Sequence, residues 1–349
     1  MTSMPSARRL PAEWEPQSGV QLTWPHENTD WGSSLDRVEP VFAAIGAAIA
    51  RHESLLVVCQ DTDHRARILR QLTETGADLD RVQLGIAPTD DTWARDHGAI
   101  TVLENEQPLL LDFIFNGWGG KFPADRDNLI TRTLSSQGRF GTVPVETIDL
   151  VLEGGSIESD GSGTVMTTSQ CLLTPSRNAG LSRHDLEQRL REHLGAQRVL
   201  WLDHGHLEGD DTDGHIDTLA RFCDAGTIAY VQCDDPADPQ HAGLRRMAEQ
   251  LAGFQQPSGL PYNLIGLPQP APIHDGGQRL PATYANFLVI NETVLVPVYD
   301  DPADALALER IGAAFPRRSV VGIDCRELIR QGGSLHCLTM QFPAGVLPH

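Results

Sequence analysis

Five times along the chain, at intervals of about sixty residues, an apolar strand-like run leads into an amphipathic helical stretch and then a second apolar run. No other feature constrains the fold as much, because a single unit of this size cannot bury a core alone and must pack on its neighbours. The first unit sets the pattern. Val20–Trp24 alternates as a strand does. Val38, Val41, Phe42, Ile45 and Ile49 mark one face of a helix, with Asp36 and Glu39 spaced as a capping box, and Leu55–Cys59 reads as a buried strand. A second helix around residues 63–75 carries Ile68, Leu69 and Leu72, stops at Gly76, and leads to the strand Val82–Ile86. Later units pair Leu109–Phe113 with Val145–Leu150, Thr164–Thr168 with Val199–Leu202, Thr227–Val231 with Tyr262–Leu267, and Phe287–Val296 with Val320–Ile323. Cys171–Leu173 also reads as strand-like, and Ser182 caps a helix over 183–194. An α/β chain of this kind closes into a ring of five units, with loops meeting near the axis, or forms an open doubly wound sheet. No Gly-x-Gly-x-x-Gly or P-loop is present, which argues against a nucleotide-binding version of the open sheet.

Length alone, 349 residues, suggests about two domains, but closed α/β rings of this size are single domains. Residues 1–18 are polar and proline-rich and read as a surface arm without a signal peptide. With 27 basic against 47 acidic residues, the net charge of -20 repels nucleic acid and anionic membrane and draws in small cations. No run is long enough to span a bilayer. The six cysteines form no Cys-x-x-Cys pair, which disfavours a zinc ribbon or dithiol centre and fits a reducing, cytoplasmic setting.

Four polar clusters interrupt the apolar units. Asp90–Gly98 places three acids around Trp93 and Arg95. Leu152–Ser156 sets Glu153 before two glycines, which permit close backbone approach. Asp210–Asp217 carries Asp211, His215 and Asp217; in an extended segment the last two side chains share a side. With His204 and His206 nearby, that stretch is also a candidate metal site, although its spacing does not fit a calcium loop. The fourth cluster, Gly332–Cys337, delivers a lone cysteine after two glycines. By itself Cys337 is a buried thiol; with a cationic neighbour such as His215 it is a thiolate nucleophile. A glycine-rich turn, Asn116–Lys121, offers Trp118 as a pocket wall.

Together these stretches resemble the agmatine deiminase and bacterial peptidylarginine deiminase-like family. The matching runs are Pro11–Gln17, Leu22–Pro25, Trp93–Asp96, Phe115–Gly120, Leu152–Ser156, Gly214–Asp217, Asn286–Phe287 and His336–Cys337. The resemblance covers nearly the whole chain. It implies the pentein fold, a five-bladed α/β propeller of pseudo-fivefold ββαβ units, as one catalytic domain over 1–349. It implies that Cys337 is the nucleophile, His215 the general acid/base, Glu153 the partner of that histidine, and Asp96 and Asp217 the carboxylates that grip a guanidinium. Trp93, Trp118 and Asp211 are expected to line the substrate site. No metal or organic cofactor is implied, and a homodimer is expected.

The chemistry suits those residue types. A guanidinium is planar, cationic and slow to react with water; paired carboxylates orient it, a thiolate adds to its carbon, and a histidine protonates the departing amine. The expected reaction converts agmatine to N-carbamoylputrescine and ammonia, as in putrescine-forming polyamine biosynthesis. Other readings are deimination of arginine, peptidyl-arginine or another guanidine, amidino transfer to an amine, metal-dependent amide hydrolysis, and polyamine binding without catalysis. Ser334 replaces the asparagine of the Gly-Gly-Gly-Asn-Ile-His-Cys run of agmatine-specific relatives, which leaves the substrate tail open.

Overall fold

A computed structural model describes residues 8–348. The chain is a mixed α/β protein. β1 (Arg8–Arg9) and β2 (Gln17–Thr23) precede helix α1 (Leu35–Ala50), which returns the chain to β3 (Ser54–Cys59); α2 (Thr62–Glu74) then leads to β4 (Val82–Ile86). β2 and β3 are buried along their whole length, and β3 accordingly reads as a continuous apolar run. The short helix α3 (Ala94–His97) is followed by the hairpin β5 (Ile100–Glu104) and β6 (Gln107–Ile114), then α4 (Gly117–Gly120), α5 (Ile130–Ser136) and β7 (Val145–Val151). Next come the hairpin β8 (Ile157–Ser159) and β9 (Thr164–Thr168), the helices α6 (Ser169–Leu172), α7 (Pro175–Asn178) and α8 (Arg183–Leu194), and β10 (Arg198–Leu202). β11 (Ala220–Asp224), β12 (Thr227–Val231), α9 (His241–Gly253) and β13 (Asn263–Leu267) repeat the scheme. After a small hairpin, β14 (His274–Asp275) and β15 (Gln278–Arg279), so do β16 (Leu288–Ile290), β17 (Thr293–Val298), α10 (Asp304–Ala314) and β18 (Ser319–Asp324).

One rule governs the sheets. An antiparallel hairpin is extended by a helical crossover to a parallel third strand, in β5-β6-β7, β8-β9-β10, β11-β12-β13 and β16-β17-β18. The remaining sheet, β19-β2-β3-β4, is completed by the C-terminal strand β19 (Thr339–Pro343), which pairs antiparallel with β2. The sequence pattern shows the crossover and the strands beside it but not the hairpin partners β5, β8, β11 and β19. Those strands are short and carry polar or charged residues such as Glu158 and Arg221 into the interior.

Several local expectations change. Residues 1–7 lie outside the described residues, and 8–18 do not form a surface arm: β1 pairs with β5, Ala12 and Glu13 are buried, and Gln17 begins β2. Among its polar residues is Glu13, whose carboxylate serves buried partners described below. Ser34 precedes α1, so Asp36 lies inside the first turn and is not its cap. Cys171–Leu173 belongs to the end of α6, capped by Thr168, and not to a strand. Ser182 does cap α8, forming a reciprocal box with Asp185, and Gly195 ends the helix in the left-handed conformation.

Candidate active site

The five candidate side chains are delivered by four separate connections. Asp96 sits on α3, after β4. Glu153 follows β7 and opens a single 3-10 turn, Gly154–Ser156. His215 and Asp217 lie at a second 3-10 turn before β11, and Cys337 lies just before β19. The turn replaces the extended geometry expected for His215 and Asp217, yet both reach the same point. A Cβ added to Gly155 would lie 2.5 Å from His215 Nδ1, 2.9 Å from Asp96 Oδ1 and 3.3 Å from Asp217 Oδ2. Glycine is therefore required where these three groups converge.

Asp96 accepts hydrogen bonds from Trp118 Nε1 at 2.9 Å and from the Gly155 amide at 3.1 Å, and its Oδ1 lies 3.6 Å from His215 Nδ1. Trp118 holds that bond from a left-handed backbone (φ 55°), a conformation that costs a non-glycine residue about 1–3 kcal/mol. Cys337 Sγ accepts from Asn286 Nδ2 at 3.3 Å and lies 3.8 Å from Asp217 Oδ2. Asp217 Oδ2 is 2.8 Å from His336 Nδ1, whereas Asp217 Oδ1 has no hydrogen-bond partner among the described residues. Glu153 and His215 are fully buried, and their facing atoms, with Cys171 Sγ, lie within 4.8 Å of one another. The hydrogen-bond partner of Glu153 is Arg177 Nε at 2.8 Å, so the expected Glu153–His215 pairing is one of proximity and charge.

Burial and charge set the protonation of the site. Burial, and then the charges of Asp217 and Asp96, push the Cys337 thiol well above its ordinary value. Burial lifts Asp96 to about 6 against the pull of His215. Burial disfavours a charged His215, but the carboxylate of Asp96 and the thiol of Cys171 outweigh it and raise the imidazole well above its usual range. Asp217 is held below the usual carboxylate range despite burial, because of its bond and charge pairing with His336.

A cleft of about 270 Å³ opens onto Cys337 and Asp96. Trp93, Trp118 and Asp211, the expected substrate-site residues, all line it, together with Asp91 and Gly333. Gly333 allows the Trp93 ring to pack where a Cβ would lie 2.3 Å away. Ser334 does not line the cleft; it is buried, with Oγ 3.1 Å from the Tyr299 hydroxyl. The change from asparagine to serine therefore acts behind the wall, not on a substrate tail. Among the described residues, the group spaced to hold a metal is Glu153, Cys171 and His215. His204 and His206, candidate ligands in the sequence, are not part of it, so the sequence-derived metal site is not assembled.

Comparisons with known proteins show the family of the chain. The sequence profile of the Porphyromonas-type peptidyl-arginine deiminases matches residues 9–343. The chain belongs to this family. Agmatine deiminase of Stutzerimonas stutzeri is 34% identical, covering 99% of each chain. A Porphyromonas gingivalis crystal structure provisionally presented as an arginine deiminase superposes with a TM-score of 0.92 at 52% identity, covering 98% of this chain and 100% of that one. C. jejuni agmatine deiminase with substrate bound, a cysteine-to-serine variant, gives 0.90 at 35% identity over 97% of both chains.

In this family member four interior residues carry more of the site than their sequence context suggests. Glu13, Asn286 and His336 stand within matching runs, but only the fold shows what they touch. Arg177, which binds Glu153 and Asp213, lies in a stretch with no distinguishing pattern. Adjacency of His336 to Cys337 was the one usable clue; nothing near Glu13 places it beside residues more than two hundred positions away.

Proposed function

We propose that this chain hydrolyses a guanidine to a urea and ammonia through a covalent thiouronium on Cys337, with agmatine as substrate and N-carbamoylputrescine as product. The observation that carries the reading is the thiol at the floor of an acidic cleft, flanked by two buried carboxylates, Asp96 and Asp217, with His215 behind them. A guanidinium entering this space replaces missing counter-charge. Its planar N–H groups meet Asp96 and the free Oδ1 of Asp217, and its positive charge stabilises the Cys337 thiolate, which the empty site disfavours. The thiol proton passes to solvent, and Sγ adds to the guanidinium carbon. His215, held protonated by Asp96, gives its proton to one amino group, and ammonia leaves. Water attacks the thiouronium with neutral His215 taking its proton; the C–S bond breaks, and the ureido product leaves. Glu153 adds negative charge beside His215 and stabilises the imidazolium.

The tail is read from the cleft mouth. Asp30, Asp91 and Asp211 line it and suit a terminal ammonium. Arg279 and Arg330 line it too, which supports a second reading in which the substrate tail carries a carboxylate, as in arginine. Arg279 is already paired with Asp238 at 2.8 Å and Arg330 with Asp275 at 2.6 Å, and this favours agmatine.

The same reading extends to the fold. The four sheets that share one strand rule, and the fifth that β19 completes by pairing with β2 across the ends of the chain, support a five-bladed propeller forming one catalytic domain. The test is ammonia release from agmatine, arginine, an N-acyl arginine amide, a peptide with C-terminal arginine, and shorter guanidino amines. Agmatine should have the highest kcat/KM, and Cys337→Ala should abolish ureido product while chelators have no effect. Turnover of another guanidine with agmatine inert would replace the substrate. Turnover by Cys337→Ala would overturn the mechanism.

A further inference from the structure

We infer that Glu13 and His336 are positioning residues that fix the Asp217 carboxylate beside the nucleophile, an inference that rests on the deiminase reading above. His336 immediately precedes Cys337, and the amides of both residues donate to Asn286 Oδ1, at 2.8 and 3.3 Å. Its ring lies between two carboxylates: Nδ1 is 2.8 Å from Asp217 Oδ2, and Nε2 is 2.8 Å from Glu13 Oε2. A neutral imidazole has only one N–H, so both contacts are satisfied only when both ring nitrogens carry hydrogen. Glu13 is anchored in turn. Its Oε2 accepts from Arg221 Nη2 at 2.7 Å and its Oε1 from the Val289 amide at 2.6 Å. Arg221 Nε continues to Glu158 Oε1 at 2.8 Å, which also accepts the Phe222 amide.

The result is a buried chain of alternating charge: Asp217, His336, Glu13, Arg221, Glu158. Arg95, on the same segment as Asp96, approaches Glu13 Oε2 at 4.0 Å. This chain has a function a neutral core could not supply. It engages Asp217 Oδ2 and leaves Oδ1 unpartnered, so one oxygen is held back and the other is presented to the guanidinium. Rotation of the carboxylate would break the His336 bond. Because reacting geometries tolerate little displacement, loss of this restraint should be felt in turnover.

The groups facing His336 are Asp217 and Glu13, with Arg221, Arg95 and Glu158 beyond Glu13 and Cys337 beside it. Glu13→Gln keeps shape and lets the amide donate to Nε2, but removes one of the two anions that face the ring. The experiment compares wild type, Glu13→Gln and Glu13→Asp on the best guanidine substrate, as kcat and KM across pH 5–9. Glu13→Gln should lower kcat about tenfold to a hundredfold. It should also move the acid limb of kcat/KM to higher pH, because a loosened His336 bond no longer holds Asp217 as far below the usual carboxylate range. Glu13→Asp should restore the wild-type profile in part. A Glu13→Gln profile of wild-type shape, whatever its height, overturns the inference, since a merely structural role lowers the rate without moving a limb.

If Glu13→Gln does not fold, His336→Asn gives the equivalent reading. Asp217 then lacks its cation, so the acid limb of kcat/KM should move to higher pH, and an unmoved limb overturns the inference. If wild type releases no ammonia from any guanidine, the functional reading fails by itself. The coupling is then read from the pH midpoint of Cys337 alkylation by iodoacetamide, which Glu13→Gln should shift and which, unshifted, rejects the positioning role.

Discussion

Asp96 receives two hydrogen bonds and faces an imidazole, yet burial still raises it to about 6. The sign of the consequence is fixed. Below about pH 6 the carboxyl is protonated and offers no charge to a guanidinium; above it, the carboxylate is formed. kcat/KM, which reports the free enzyme, should therefore fall as pH drops through about 6 and level off above it. Asp211, also pushed up to about 6 by burial, and Asp91, pushed up to about 7, line the same cleft and should broaden the limb. A profile flat down to pH 5 would contradict the role given to Asp96. At this scale the sequence was most informative: residues with no other reason to stand in polar runs, Asp96, Glu153, His215, Asp217 and Cys337, all come together. What it concealed were the partners. Trp118 reads as a residue in a glycine turn until its indole is found on Asp96 Oδ2, and Glu13 reads as a surface acid until its two oxygens are found on His336, Arg221 and Val289. A side chain's type is local, but its hydrogen-bond partner is a long-range fact.

Two short connections, the 3-10 turns at 154–156 and 216–218, bring Glu153, His215 and Asp217 to the point where Asp96 of α3 and Cys337 also arrive. Gly155 is the contact between them. Gly155→Ala would force a Cβ to 2.5 Å from His215 Nδ1, and moving that ring should reduce kcat by at least about a hundredfold with little change in the unfolding midpoint. Steady-state kinetics beside thermal melting would separate the two; unchanged kcat would mean the turn is not tightly packed on the site. The hairpin strands β8 and β11 play a different part. Arg221 of β11 bridges Glu158 of β8 and Glu13 at 2.8 and 2.7 Å, all buried. Arg221→Met removes the cation hydrogen-bonded to both acids and should destabilise the protein by about 3–5 kcal/mol, measured as a lower midpoint in urea. A loss under 1 kcal/mol would show that the two carboxyls protonate at no cost. Neither hairpin partner was visible in the sequence, because a strand of three to five residues bearing an interior Glu or Arg has no apolar alternation to detect.

For the molecule as a whole, a net charge of -20 surrounds a cleft that is itself lined by Asp30, Asp91, Asp96 and Asp211. A dicationic substrate should be steered into such a field. kcat/KM for agmatine should therefore fall several-fold as ionic strength rises from about 0.01 to 0.5 M, where the screening length drops from about 30 Å to a few ångströms. A salt-independent kcat/KM would confine the charge to a role in solubility. The sequence by itself determined the α/β class, the recurrence of strand–helix–strand units and the identity of the polar side chains that gather around Cys337. Each of these is written in local terms: apolar period, helix caps such as Ser182, and polar side chains placed at the ends of strands. Tertiary structure alone decided which residues meet. It sent Glu13 from an expected surface arm to the interior, placed Ser334 behind the cleft wall, and bound Cys337 to a chain of alternating charge running through β11 and β8. The reason is physical. Burying a carboxylate is costly unless opposite charge and hydrogen bonds surround it, and those partners lie far apart along the chain, so only the folded backbone can bring them together.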